Sequence, residues 1–258
     1  MLLAIDIGNT QTVIGVYDGD DLRASWRVAS NKDATADEVV IQLHGLLNLE
    51  ENLIDGIADA IISSVVPVLT LSWQVAIRRL IGHEPHIVSA REDYGLPIKY
   101  RNPREIGPDR IADAIAVVAK YGAPAIVVDL GTATNIEVID EDGAFLGGVI
   151  APGVYVSANA LFASAARLAQ VDVEVPEHVI GQSTVEAVQA GLTYGEVERI
   201  DGLVERIKAE LGYDATVIAT GGLHSIIAPI SRTIDHCDKM LTLEGLKIIH
   251  DRMAGAEG

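Results

Sequence analysis

Two stretches of this chain carry residue types that can handle phosphate. Residues 4–18, AIDIGNTQTVIGVYD, are an apolar run closed by Asp6, then Ile7, Gly8, Asn9, Thr10, Gln11, Thr12 and Val13, then further apolar residues. Residues 127–141, VVDLGTATNIEVIDE, repeat the arrangement without a gap, with Asp129 under Asp6, Gly131 under Gly8 and Ile139 under Val16. A glycine at such a bend lets backbone N–H groups approach phosphate oxygens closely. Thr and Asn side chains add donors, and the Asp can hold a metal or order water. A single copy reads first as ordinary hairpin chemistry. The second copy, and a third Gly-rich strand end at Thr220, Gly221 and Gly222, favour the phosphate cradle. No G-x-x-x-x-G-K-[ST] and no G-x-G-x-x-G occurs, so neither a P-loop nor a dinucleotide fold competes.

Residues 102–114, NPREIGPDRIADA, form the other constellation. Gly107, Pro108, Asp109 and Arg110 run into a helical pattern, which places Asp109 at a helix N-terminus. There it either caps the helix, worth about 1 kcal/mol, or acts as a general base with Arg110 beside it to bind a carboxylate or phosphate. Asp113, four residues on, can share a face with Asp109 and raise its pKa by like-charge repulsion; the helix dipole acts the other way. The histidines show no zinc-site spacing, and only His224 stands near a candidate turn.

The elements that must position these residues follow from periodicity and punctuation. Around the two hairpins, helices are expected over 35–49, 68–82, 110–122, 155–169, 184–211 and 242–254, and strands over 59–67, 86–90, 145–153 and 215–222. The helix over 110–122 carries an apolar stripe of Ile111, Ala114, Ile115 and Val118, ends at Gly122, and bridges the halves. Hairpin strands mixed with helices predict an α/β plan with a mixed sheet in each half. The half-chain repeat predicts two similar domains, 1–117 and 118–258.

Composition limits the partners. With 49% hydrophobic residues the chain is not disordered, and no apolar run nears the ~20 residues that span a bilayer. The absence of a basic n-region and the single cysteine, Cys237, lead us to expect a cytoplasmic protein without a membrane partner. Asp and Glu number 37 against 19 Lys and Arg, a formal net charge of −18. Such a surface repels nucleic acid. An anionic nucleotide would therefore be held by backbone amides, helix N-termini and a metal.

Taken in order, Asp6-x-Gly8-Asn9-Thr10, Ser64-Val65-Val66-Pro67, Asn102-Pro103-Arg104-Glu105-x-Gly107-x-Asp109-Arg110, Asp129-x-Gly131-Thr132-Ala133-Thr134, Gly147-Gly148-x-Ile150-Ala151-Pro152-Gly153 and Thr220-Gly221-Gly222 resemble the type III pantothenate kinase family. So do residues 180–191 and 241–246, and the likeness runs from residue 2 to about 252. The resemblance implies two RNase H-like domains of the acetate and sugar kinase/Hsp70/actin superfamily, with ATP in the cleft between them. It implies transfer of the ATP γ-phosphate to pantothenate, the first step towards coenzyme A. Residues 6–13 would form the first phosphate loop, with Asp6 placing magnesium through water or phosphate. Asp109 would take the pantothenate hydroxyl proton. Tyr100, Gly107, Pro108, Asp109, Arg110 and Thr184 would contact pantothenate, Thr132 would contact ATP, and Asp129 would bind a monovalent cation, potassium or ammonium. A homodimer is implied as well. With no Walker lysine, weak ATP binding dependent on both cations is expected.

The chain departs from the family pattern at Asn135, Ile136 and Glu137, where Thr, an aromatic and Asp are usual, and at Gln11, Ala34, Asp113 and residues 168–170. Two other readings fit the same scaffold: a regulatory or accessory protein with little or no turnover, and a kinase for another small hydroxyl or carboxyl compound. Asp109 argues against the first, and Tyr100 with Thr184 against the second.

Overall fold

Residues 2–18 are two apolar runs, buried almost throughout, that break at a Gly-containing bend, which is what a hairpin covered on both faces requires. The computed structural model describes residues 1–50, 53–165, 168 and 170–256, and this hairpin, β1 (Leu2–Ile7) with β2 (Gln11–Asp18), is the centre of its first unit. The chain divides into two units, one of Met1–Leu96, Arg101–Ala116 and Leu241–Gly258, the other of Pro97–Tyr100 and Val117–Met240.

In the first unit β3 (Asp21–Ala29) extends the hairpin antiparallel, while β4 (Asp59–Ser64) and the two-residue β5 (His86–Ile87) add parallel to β1, giving the order β3-β2-β1-β4-β5. Ile5, Ile7, Ile14 and Val16 turn one face towards α1 (Ala36–Leu47) and α3 (Pro67–Ile81), which bury Val39, Leu43, Leu69 and Trp73 against it. A single turn, α2 (Leu53–Gly56), precedes β4. The opposite face, on which Gly15 meets Leu243, is covered by the last helix, α8 (Leu241–Ala256), which packs on β1, β2 and β4.

The second unit repeats the plan. Strands β6 (Ala125–Leu130), β7 (Ala133–Ile139) and β8 (Phe145–Pro152) are antiparallel neighbours, and β9 (Thr216–Thr220) and β10 (His236–Cys237) add parallel to β6, in the order β10-β9-β6-β7-β8. Ile126, Val128, Leu130 and Ile136 pack with Val154 and Ala158 of α5 (Val154–Ser164) and with Val197, Ile200 and Val204 of α6 (Thr184–Leu211). One short turn, α7 (His224–Ile227), follows β9, and α4 (Pro108–Tyr121) carries residues of both units. No helix among the described residues is long and apolar enough to cross a membrane.

Ser183 caps α6 by accepting from Glu186 N at 3.2 Å, while the Glu186 carboxylate accepts from Ser183 N. Replacing this reciprocal cap by Ala is expected to lower stability by about 1 kcal/mol, read as a lower urea midpoint.

Four features differ from the sequence reading. Strand β3 was not anticipated, although Leu22, Ala24, Trp26 and Val28 alternate with exposed residues along it. The helix expected over 155–169 runs over Val154–Ser164, and its expected end at 166, 167 and 169 lies outside the described residues. The stretch 241–258, expected with the second half, clusters with the first unit because α8 packs on its sheet. Finally, the two hairpins do not superpose without a gap. Ile7 pairs with Thr12 around four residues, whereas Leu130 pairs with Thr134 around three. Val138, not Ile139, is thus the counterpart of Val16, and Thr134 that of Thr12.

Candidate active site

In the first unit the turn between β1 and β2 closes with Gly8 N donating to Gln11 O at 3.0 Å. Asn9, Thr10 and Gln11 are exposed, Asp6 is partly buried, and Thr12 is buried with its hydroxyl 2.9 Å from that of Ser30. The chain leaving β4 lies alongside: Val65 N donates to Ile7 O at 3.1 Å, and the Val65 side chain lies 3.6 Å from where Gly107 would carry a Cβ. Val65 therefore joins the first turn to the segment bearing Asp109. The contacts of Val65 are long-range and leave no local signal in the sequence.

Helix α4 starts at Pro108, which puts Asp109 in the first helical turn rather than at the cap position. Its carboxylate folds back over Gly107, close enough that any side chain there would collide with Oδ1, and it accepts from Arg110 N at 2.9 Å. Burial pushes the Asp109 carboxyl above its ordinary value, against the pull of the Arg110 amide and guanidinium. Burial is the largest cause of that push. Arg110 and Asp113 are both buried.

The second unit gathers three chain segments around its own turn. Gly131 N donates to Ala133 O at 3.0 Å, Gly153 N donates to Thr132 O at 3.1 Å, and Leu223 N donates to Leu130 O at 3.3 Å. A Cβ on Gly153 would stand 2.5 Å from the carbonyls of both Gly131 and Thr132. Gly221, at φ +85°, passes so near Leu130 that a Cβ would lie 2.6 Å from its N and C atoms and collide with Asp129 Oδ1. The Asp129 carboxylate and these carbonyls are hard oxygen donors, which suit hard cations rather than soft metals. Asn135 pairs with Asp129 across the strands, and Glu137 is fully buried beside Gly148, so the departures from the family pattern sit within the sheet and leave the turn's own closure in place.

The remaining expected residues fall apart into two groups. Tyr100 lies against Gly147, 3.0 Å from its Cβ position, and packs edge-on to Phe145. Thr184 is exposed at the first position of α6, beside the Ser183 cap. Asp6, the first turn, Gly107, Pro108, Asp109 and Arg110 belong to the first unit; Tyr100, Asp129, Thr132 and Thr184 belong to the second.

A sequence profile of type III pantothenate kinase matches residues 2–206. This chain belongs to the type III pantothenate kinase family. Two relatives carrying that description are those of Moorella thermoacetica, 45% identical over 252 residues, and Frankia alni, 47% identical over 252 residues; each match covers 98% of this chain and 99% of the relative. Among solved structures, component A of the (R)-2-hydroxyglutaryl-CoA dehydratase of Acidaminococcus fermentans aligns with a TM-score of 0.56 at 14% identity, covering 99% of this chain and 98% of that one. The activator of the 2-hydroxyisocaproyl-CoA dehydratase of Clostridium difficile, solved with bound ADPNP, gives 0.52 at 13% identity over 99% and 97%. At such identities these two speak for the fold alone, which is the two-domain actin-like ATPase fold. In this member of the type III pantothenate kinase family the first turn carries Gly8-Asn9-Thr10, the second Gly131-Thr132, and α4 starts from Gly107-Pro108-Asp109-Arg110.

Proposed function

We infer that this chain transfers the γ-phosphate of ATP to the hydroxyl of pantothenate, giving 4′-phosphopantothenate, the first step towards coenzyme A. The observation that carries the reading is the Asp109 carboxylate, half-buried at a helix start and tied through Val65 to a turn built for phosphate, in a chain of this family. Asp109 takes the hydroxyl proton as the new O–P bond forms and ADP leaves. Its raised pKa suits that work, since a base is most effective when its pKa approaches the working pH.

The other roles follow from chemistry. Residues 6–13 hold phosphate through exposed backbone N–H groups and the Asn9, Thr10 and Gln11 side chains, with Asp6 placing magnesium through water or phosphate. Thr132 holds ATP, and Asp129 with its neighbouring carbonyls holds potassium or ammonium. Tyr100, Gly107, Pro108, Arg110 and Thr184 bind pantothenate. When bound, the two cations neutralise charge that develops on the transferring phosphoryl group, the main requirement of this chemistry. A chain with net charge −18 and no Walker lysine needs that help more than most.

Exposed large apolar side chains concentrate between 150 and 185, among them Ile150, Tyr155, Val156, Val179 and Ile180. That concentration supports a homodimer formed through the second unit.

The test is ADP formation with pantothenate, magnesium and either potassium or ammonium. Chelation of magnesium is expected to abolish turnover and omission of the monovalent cation to depress it strongly, with ATP binding weakened in parallel. Absence of pantothenate-dependent turnover with all components present would sink the kinase reading, and full activity in chelator would remove the metal from it.

A further inference from the structure

The second turn rests on a polar group to which nothing above gives a role. Thr134, the residue that follows the turn, is 2% exposed, and its hydroxyl donates to Glu196 Oε1 at 2.6 Å. Glu196 stands on α6 and is itself 5% exposed. One helical turn on, Arg199 pairs with the other carboxylate oxygen, and its Nη2 donates to the Pro152 carbonyl at 2.8 Å. Pro152 ends β8 immediately before Gly153. Two side chains of one long helix thus grip two strand ends beside the turn, the entry of β7 and the exit of β8. At the matching position of the first turn, the Thr12 hydroxyl instead meets that of Ser30, just past the end of β3.

Attaching α6 to the sheet does not require this. Val197, Ile200 and Val204 already pack there, and replacing a buried ion pair with apolar residues of like volume is often neutral or stabilising. Ionic hydrogen bonds add direction, holding Thr134 and Pro152 at one separation. Gly131, Thr132 and Gly153 hang between those two residues, so their oxygen and nitrogen atoms inherit that separation.

We propose that Glu196 and Arg199 are positioning residues for the second turn: they set its affinity for ATP phosphate and the monovalent cation without touching either. This rests on the assignment of Thr132 and Asp129 made above.

The test compares wild type with Thr134→Val, Thr134→Ser and Arg199→Met, following KM for ATP and for pantothenate, the half-saturating potassium concentration, and ATP Kd by calorimetry. Val keeps the shape of Thr without its hydroxyl; Arg199→Met leaves the Glu196 carboxylate without its cation, so a melting curve accompanies each variant and only variants folded at the assay temperature are compared. Thr134→Val and Arg199→Met are each expected to raise ATP Kd and KM about tenfold, the effect of losing a charged hydrogen bond. The potassium requirement rises with them, KM for pantothenate stays put, and Thr134→Ser restores wild-type values. ATP Kd unchanged in both variants, or both KM values rising together, would overturn the proposal. A wild type without pantothenate-dependent turnover would remove the underlying kinase reading as well, which separates the two failures.

Discussion

Asp109→Asn is expected to lower pantothenate-dependent turnover by about 10²–10⁴-fold, the usual worth of a general base, while ATP still binds as in wild type. Asn is nearly isosteric and its Oδ1 can accept from Arg110 N as the carboxylate does. What it lacks is a site for the hydroxyl proton. The pH dependence follows from the direction of the Asp109 shift. A base must be ionised to act, so the acid limb of kcat/KM for pantothenate lies above the ordinary Asp value of 3.8, and the residual activity of the variant loses that limb.

Stability moves the opposite way. A carboxyl whose folded pKa is raised binds its proton more readily in the folded state. Its contribution is therefore fully present below the unfolded pKa and is lost as pH rises through the folded one. Near neutrality the half-buried charge works against folding, so Asp109→Asn melts at or above the wild-type temperature. Loss of turnover together with a lower melting temperature would point to damage to the fold instead, and unchanged turnover would remove Asp109 from the base role.

Gly221→Ala is the second large effect. The residue has φ +85°, where an L side chain is strained by about 1–3 kcal/mol. Its new methyl would also lie 2.6 Å from two backbone atoms of Leu130 and press on the Asp129 carboxylate. A backbone collision cannot be relieved by rotating a side chain, so β9 and the second turn must separate. Displacements near 1 Å at a reacting centre can cost about 100-fold in rate. We expect a loss of that order in kcat/KM for ATP, a steeper need for potassium or ammonium, and a lower melting temperature. Gly212→Ala, at φ +79° with nothing within 4 Å of its Cβ position, serves as the control for backbone strain alone. Wild-type ATP kinetics in Gly221→Ala would show that the turn tolerates the shift and that Asp129 does not depend on it.

What was legible in the sequence was local. The two turns announce themselves through Asp, Gly and Thr at fixed spacing, and α6 shows its ends through Ser183, Glu186 and Gly212. The alternation of β3 was just as visible, yet no chemistry in it drew the eye. The one-residue difference between the turns could not be read, because small polar residues fill a three-residue or a four-residue bend equally well and only strand pairing tells them apart. The push on Asp109 was expected from a residue four positions away, and its largest cause is burial, which no spacing reports. Glu196 finds Thr134 across 62 positions, and such a contact has no trace in periodicity.

The return of α8 to the first sheet has a consequence for how the protein is made. Leu241, Leu243, Leu246 and Ile249 are buried within the unit that begins at Met1. As the chain leaves the ribosome, β1 to β5 emerge early with one face bare, and the residues that cover it are translated only after the whole second unit. The N-terminal domain of a nascent chain generally folds first. Here it waits for the other to be synthesised, and a nascent chain stalled before residue 241 presents an uncovered sheet to chaperones.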